Sequence, residues 1–139
     1  VSPTFAGYIY QEAPVGYGDI ALTQEYIPYQ PTRTLAVKIE LPPRLSKEEN
    51  IAIITKYAAI YGIPVEQFLA VAQCESGFNN YAVGDKSKGY SYGLFQIHYP
   101  AHKIGKALAF NSEWSTRWAA KKWLENPRIW SCYKLLGYS

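Results

Sequence analysis

The sequence predicts a mainly α (α+β) domain over residues 46–139, with a short irregular β region in its middle, preceded by an extended Pro/Tyr-rich arm over residues 1–45. Three observations predict it. Apolar residues recur at helical spacing in several segments after Ser46. A run rich in Gly, Ser, Asn and Tyr interrupts them between residues 77 and 99. Six of the nine prolines and five of the 13 tyrosines crowd into the first 45 residues, where no helical period appears. A chain of 139 residues is large enough to bury one core.

Within the arm, Leu35, Val37, Ile39 and Leu41 alternate with Ala36, Lys38 and Glu40, a strand pattern that Pro42-Pro43 ends. The remainder of the arm reads as a linker able to pack on the domain. Ser46 and Glu49 have capping-box spacing and open a helix whose apolar face is Ile51, Ile54, Tyr57, Ala58 and Tyr61. Gly62 ends it. Pro64 suits the first turn of a second helix, which runs to about Ser76 and stops at Gly77. Gly84-Asp85 and Lys88-Gly89 mark turns inside the irregular β region. Further helices are expected from about Pro100 to Ala109, from Ser112 to Glu125, and from Pro127 to Leu136, with Gly137 closing the last.

The net charge of +3 conceals an asymmetry. Up to Glu75 there are 5 Lys+Arg against 8 Asp+Glu; from Ser76 onward there are 9 against 3. A basic C-terminal half suits a polyanionic partner such as a bacterial wall or nucleic acid, although on charge alone a solvated lysine face is the favoured reading. The basic residues are scattered singly, without the clustered stripe of a nucleic-acid footprint, so no nucleic-acid partner is expected. No stretch approaches the roughly 18 to 20 apolar residues of a membrane span. No charged n-region precedes an apolar h-region, and a start at Val1 without any Met suits a processed or trimmed form. Cys74 and Cys132, 58 positions apart with no His at a matching offset, lack metal-ligand spacing. Two buried thiols or one bridge satisfy the pair, and a disulfide is the expectation. It would add about 4 kcal/mol in the chain-entropy model. It would also place the protein outside the cytosol: secreted, extracellular, periplasmic or associated with a phage particle.

The second helix holds an anomaly. Phe68, Val71 and Ala72 define its inward face, and Glu75 comes next on that face. A carboxyl in an apolar position is disfavoured in its charged form, and the resulting rise in pKa suits a proton donor near neutral pH. The bland alternative is a Glu at a helix end, turned to solvent or paired with a Lys.

The flanking residues sharpen this reading. Cys74-Glu75-Ser76-Gly77-Phe78-Asn79 is followed by Ser91-Tyr92-Gly93-Leu94-Phe95-Gln96-Ile97-His98. The pairing resembles the lysozyme-like superfamily, both bacterial lytic transglycosylases and animal C-type lysozymes. There a Glu-Ser at a helix end carries the acid, and a Gly-Leu/Ile-x-Gln strand faces it across a sugar cleft. The helical pattern extends the resemblance over about residues 46 to 139. It implies that Glu75 protonates the glycosidic oxygen between MurNAc and GlcNAc in peptidoglycan. It implies that Ser76 supports the local turn and the carboxyl's hydrogen bonds, while Phe78 packs beneath the cleft. Gln96 would turn its amide into the cleft to bind an N-acetyl group or orient Glu75. Tyr92 and Tyr81 are sugar-contact or core candidates, and Cys74 would tie the catalytic helix to the last helix through Cys132. Trp130 and Tyr133 would lie near that bridge as core or cleft wall, core being the expectation.

Departures from the family pattern choose between mechanisms. Ser91 stands where C-type lysozymes carry their second carboxylate, and His98 where goose-type lysozymes carry an acid. Asp85, on an expected turn, is the one acid between the two motifs and the candidate second carboxylate of a hydrolytic muramidase. A single carboxylate fits the lytic transglycosylases instead. There the substrate's own 6-hydroxyl closes a 1,6-anhydro ring, and Glu75 would serve as acid and then as base. The Ala-Tyr-Asn-type third motif of many of those enzymes has no counterpart here. His98 and His102 are four apart, but Pro100 lies between them and no acidic third ligand is near, so no metal site is expected. No cofactor is expected either, and a monomer is. The remaining alternatives are a catalytically idle wall-binding module, and a structural component of a secretion or phage particle docked through residues 1–45.

Overall fold

The computed structural model describes residues 5–13 and 33–139, which form two units. One is an antiparallel pair of strands, β1 (Phe5–Ala13) and β2 (Arg33–Glu40), with Tyr10 opposite Ala36 and Gln11 opposite Leu35. β2 coincides with the alternating segment apart from Leu41. β1 has no alternating signal, although Tyr8-Ile9-Tyr10 are residues that favour strands. The expected arm also covers residues 1–4 and 14–32, which lie outside the described residues.

The second unit comprises Leu41–Ser139. Helix α1 (Lys47–Tyr61) opens with both halves of the capping box formed. Ser46 Oγ accepts from the Glu49 amide at 3.1 Å, and Glu49 Oε1 accepts from the Ser46 amide at 3.2 Å. Its buried face carries Ile54 and Ala58, with Ile51 and Tyr61 at the margin. Helix α2 (Val65–Ser76) buries Phe68, Val71 and Ala72 and ends at Gly77. Three two-residue strands follow: β3 (Val83–Gly84), β4 (Ser91–Tyr92) and β5 (Ile97–His98), in one antiparallel sheet ordered β3-β4-β5.

Two expected helices are divided. In place of one helix over 100–109 there are α3 (Tyr99–His102) and α4 (Lys106–Ala109). Lys103 takes a left-handed φ of 57° and Gly105 is extended, so the helical ladder cannot run through. Helix α5 (Ser112–Glu125) has the expected bounds, and Asn111 caps it by accepting from the Trp114 amide. Beyond it, a 3-10 turn (Pro127–Ile129) and helix α6 (Ser131–Leu135) replace one continuous helix. Trp130 is extended between them, and its indole N–H donates to the Phe95 carbonyl at 2.9 Å, a tertiary bond bought by leaving the helix.

α1 packs on α2 and α5, and α2 on α6. At the centre Phe68 stacks on Phe95 with ring centroids 4.6 Å apart, and Trp123 meets Phe68 edge-on at 5.3 Å. Beside this apolar core runs a buried polar brace. Asn50 donates to the Phe78 carbonyl and accepts from Ser112 Oγ. Asn80 donates to the carbonyls of Pro43 and Phe110 and accepts from the Leu45 amide and Asn50 Nδ2. The brace secures the loop after α2 to α1, to the start of α5 and to the segment entering the domain.

Candidate active site

Glu75 lies in the last turn of α2, one turn beyond the fully buried Val71 and Ala72. It is half-buried at the wall of an open cleft of about 530 Å³. The cleft floor and rim come from the loop after α2, the small sheet, α3, and the turn preceding α6. Burial pushes the Glu75 carboxyl above the ordinary carboxylate range; a hydrogen bond from the Cys132 amide works against this, and the nearby Asp85 charge adds to the rise.

That amide bond has a clear local origin. Cys132 is the second residue of α6, where the backbone N–H lacks an intrahelical acceptor. The N-cap residue, Trp130, has no side-chain oxygen to offer. Glu75 Oε1 takes the place of one, accepting from Cys132 N at 3.3 Å. The Cys74–Cys132 disulfide, with Cα atoms 6.0 Å apart, joins the two helix ends next to this contact. Glu75 Oε2 has no partner among the described residues and is left for a ligand.

The opposing wall is built by backbone turns that few side chains tolerate. Phe78, Asp85, Tyr90 and Gln96 all take positive φ, between 48° and 72°. Gly93, at φ +84°, allows the Gly93–Gln96 turn to pass the Ala109 carbonyl, which a Cβ there would approach to 2.1 Å. Gln96 lines the cleft, but its amide nitrogen does not reach across it. Nε2 donates to the carbonyls of Gly93 and Ala82 at 3.0 and 3.2 Å. Its Oε1 lies against Gly84, where a Cβ would come within 2.3 Å. Oε1 alone is left to accept from a ligand.

Ser91, Asp85 and His98 also line the cleft and form a chain. The Ser91 hydroxyl donates to Asp85 Oδ2 at 2.6 Å and lies 3.1 Å from His98 Nδ1. The sequence singled out all three separately, without a signal that they meet. Their register in the sheet explains it: Gly84 pairs with Ser91, and Ser91 with His98. His102 and Trp130 complete this side of the cleft; the His102 ring stands edge-on to Trp118 at 4.8 Å. Burial lowers the His102 pKa, and the Lys122 and His98 charges lower it further.

Other expected site residues sit elsewhere. Ser76 Oγ donates to the Ala72 carbonyl at 3.0 Å, bonding back along its own helix rather than to Glu75. Tyr81 stacks on Phe110 at 4.6 Å, and its hydroxyl donates to the Pro42 carbonyl. Tyr92 is buried against Phe110 and between Tyr90 and Tyr99. None of the three lines this cleft. Each apolar ring has a better partner in the second core cluster than in a wet groove. Phe78 is buried in the main core, as is Tyr133, whose hydroxyl donates to the Ser139 carbonyl. Trp130 is both core and cleft wall.

Among the described residues no group of three or more His, Cys, Asp and Glu is placed to hold a metal ion, and no helix is long and apolar enough to cross a membrane. Residues 52–121, half of the chain, match the family described as Transglycosylase SLT domain. The matched stretch contains Glu75, Asp85, Ser91, Gln96 and His98; Trp130 and Cys132 lie beyond it. No curated protein and no solved structure matches the chain.

Proposed function

The chain belongs to the Transglycosylase SLT domain family, and we propose that Glu75 is the general acid of its reaction. Its activity is of the lytic-transglycosylase type, on peptidoglycan. The observation that carries the assignment of Glu75 is its environment: a carboxyl half-buried at the wall of an open cleft, with its pKa raised and one oxygen unpartnered. A carboxyl whose pKa is raised by burial is better matched to delivering its proton to the departing oxygen of a β-1,4 bond between MurNAc and GlcNAc.

Gln96 Oε1 is oriented to accept from an acetamido N–H, since its own nitrogen is held by Gly93 and Ala82. Ser76, Tyr81 and Tyr92 act on the substrate only through the loop and sheet that they brace. Attack by the 6-hydroxyl of the same sugar then closes a 1,6-anhydro ring, an intramolecular step favoured by proximity. Residues 46–139 carry all of these groups, so the catalytic domain works as a monomer. The disulfide supports a location outside the cytoplasm, periplasmic or extracellular.

The test is Glu75→Gln, assayed on purified cell walls by turbidity and by mass spectrometry of the released fragments. Wild type should release anhydro-ended fragments, about 18 mass units below hydrolysed ends, and the variant should lose at least 10²-fold in rate. A variant retaining a tenth of wild-type turnover removes Glu75 from the role. Asp85 shares the cleft and adds to the Glu75 shift, so a hydrolytic outcome has a definite signature: reducing-end products that vanish in Asp85→Asn.

A further inference from the structure

We propose that Tyr90, Tyr99, Lys103 and Lys106 form a second glycan-binding surface, outside the cleft, that holds a carboxylate-bearing strand of peptidoglycan while the cleft cuts. The proposal rests on the reading of peptidoglycan as the substrate and is independent of which group is the acid.

None of these four residues lines the cleft. Tyr90 and Tyr99 are 44 % and 41 % exposed. They flank the buried Tyr92, whose ring centroid lies 6.2 Å from that of Tyr90 and 6.3 Å from that of Tyr99. Three aromatic rings thus form one cluster whose outer two members are open to solvent. Two ammonium groups sit at the same cluster. Lys103 Nζ is 5.5 Å from the centre of the Tyr99 ring, and Lys106 Nζ is 5.7 Å from that of Tyr92.

The backbone holds this arrangement at a cost that a mere turn does not require. Tyr90 has a φ of 72° and Lys103 of 57°, both in the left-handed region where a bulky side chain is strained. Glycine or asparagine would turn the chain there with less strain. Instead both positions carry long, exposed side chains that meet in one cluster. The Tyr90 amide donates to the Asp85 carbonyl, and the Tyr90 carbonyl accepts from the Tyr99 amide, each at 3.0 Å. The Lys103 amide donates to the Tyr99 carbonyl at 2.7 Å. Gly89 lies against Pro100, whose Cγ a Cβ there would approach to 2.3 Å. A platform fixed in this way loses little freedom when a ligand binds.

The chemistry selects the partner. The C–H face of a sugar packs on an open tyrosine ring, and the phenol at its tip bonds to hydroxyls. From Lys86 to Ser112 the chain has four lysines and no acid, so the segment is uniformly positive. Peptidoglycan offers both complements: sugar rings, and carboxylates on the peptides that its strands carry. A membrane surface would call for an amphipathic helix with Trp, Phe or Leu on one face. Each of the four side chains here ends in a hydroxyl or an ammonium.

The experiment measures co-sedimentation with insoluble peptidoglycan, untreated or with its carboxylates converted to amides, alongside fragment release. Tyr90→Asn removes a ring, and Lys103→Asn/Lys106→Gln removes both charges; Asn tolerates a positive φ, so these changes fit the backbone. Each variant should bind untreated walls at least about fivefold more weakly and show a raised KM on them. Their kcat, and their cleavage of short soluble glycan fragments, should stay within about twofold of wild type. Amidation should weaken wild-type binding about fivefold and the double lysine variant's by less than about twofold. Folded variants that bind walls within about twofold of wild type overturn the proposal, as does an equal effect of amidation on both proteins. Wild type that prefers phosphatidylglycerol vesicles to walls, and loses them in the lysine variant, reassigns the face to a membrane and overturns it too. Glu75→Gln should sediment with walls as wild type does; an active Glu75→Gln removes the acid reading alone. Wild type that neither binds nor cuts peptidoglycan removes this proposal together with the substrate reading.

Discussion

Glu75, the proposed general acid, sits in an environment that works against the fold. Its pKa is raised in the folded protein, chiefly by burial. Such a group favours the folded state fully when protonated, below its unfolded pKa, and that advantage is lost as pH rises through the folded pKa. At pH 7 the wild type therefore carries a penalty that a neutral isostere avoids. Gln keeps an oxygen for the Cys132 amide and has no charge to bury. Glu75→Gln should consequently be more stable than wild type at pH 7, by urea unfolding, with the gap closing as pH falls toward about 4. A variant less stable than wild type at pH 7 would show that the carboxylate is stabilised where it lies. That Glu75 falls on the buried face was legible from helical spacing, because Phe68, Val71 and Ala72 mark that face, whereas its proposed role came from the resemblance. The partner of its carboxyl was not legible, since Cys132 is 57 residues away and contributes only a backbone amide.

At the scale of elements, local signals worked where the chain obeys local rules. The capping box at Ser46 and Glu49, and the bounds of α5, follow from interactions within one helical turn. The breaks at Lys103 and Trp130 do not: one needs a left-handed backbone at a lysine, the other an indole anchored to the Phe95 carbonyl. The loop between α2 and the sheet depends on the Asn50–Asn80 brace. Asn50 falls on the same face as Ile54 and Ala58, a polar residue in a buried stripe, and that anomaly was its one visible signal. Asn80 makes four hydrogen bonds with segments up to 37 residues away. Asn80→Ala should destabilise the protein by about 2 to 4 kcal/mol, because several buried groups lose their partners at once. The measurement is the shift in urea midpoint at constant slope. A change below about 0.5 kcal/mol would mean that water replaces the side chain.

Across the whole molecule, the disulfide ties α2 to α6, spanning 58 residues. The double variant Cys74→Ser/Cys132→Ser should lose about 4 kcal/mol if loop entropy in the unfolded chain dominates. Equal stability with and without the bridge, in denaturant titrations, would rule that account out. Residue spacing also carried the larger identity: Glu75-Ser76 followed by Gly93-Leu94-Phe95-Gln96 lies within the stretch that matches the family. What the sequence determined by itself was therefore the helical class, the caps, the place of Glu75 on the buried helix face, and the family. These depend on periodicity and on residue types at short, regular separations. Only the tertiary structure decided which polar atoms remain free for a substrate. It engaged the Gln96 amide with two carbonyls, turned Ser76 back on its helix, placed Tyr81 and Tyr92 against Phe110, and joined Asp85, Ser91 and His98. A side chain with several possible partners is assigned by the packing that excludes all but one, and that packing is a property of the folded chain.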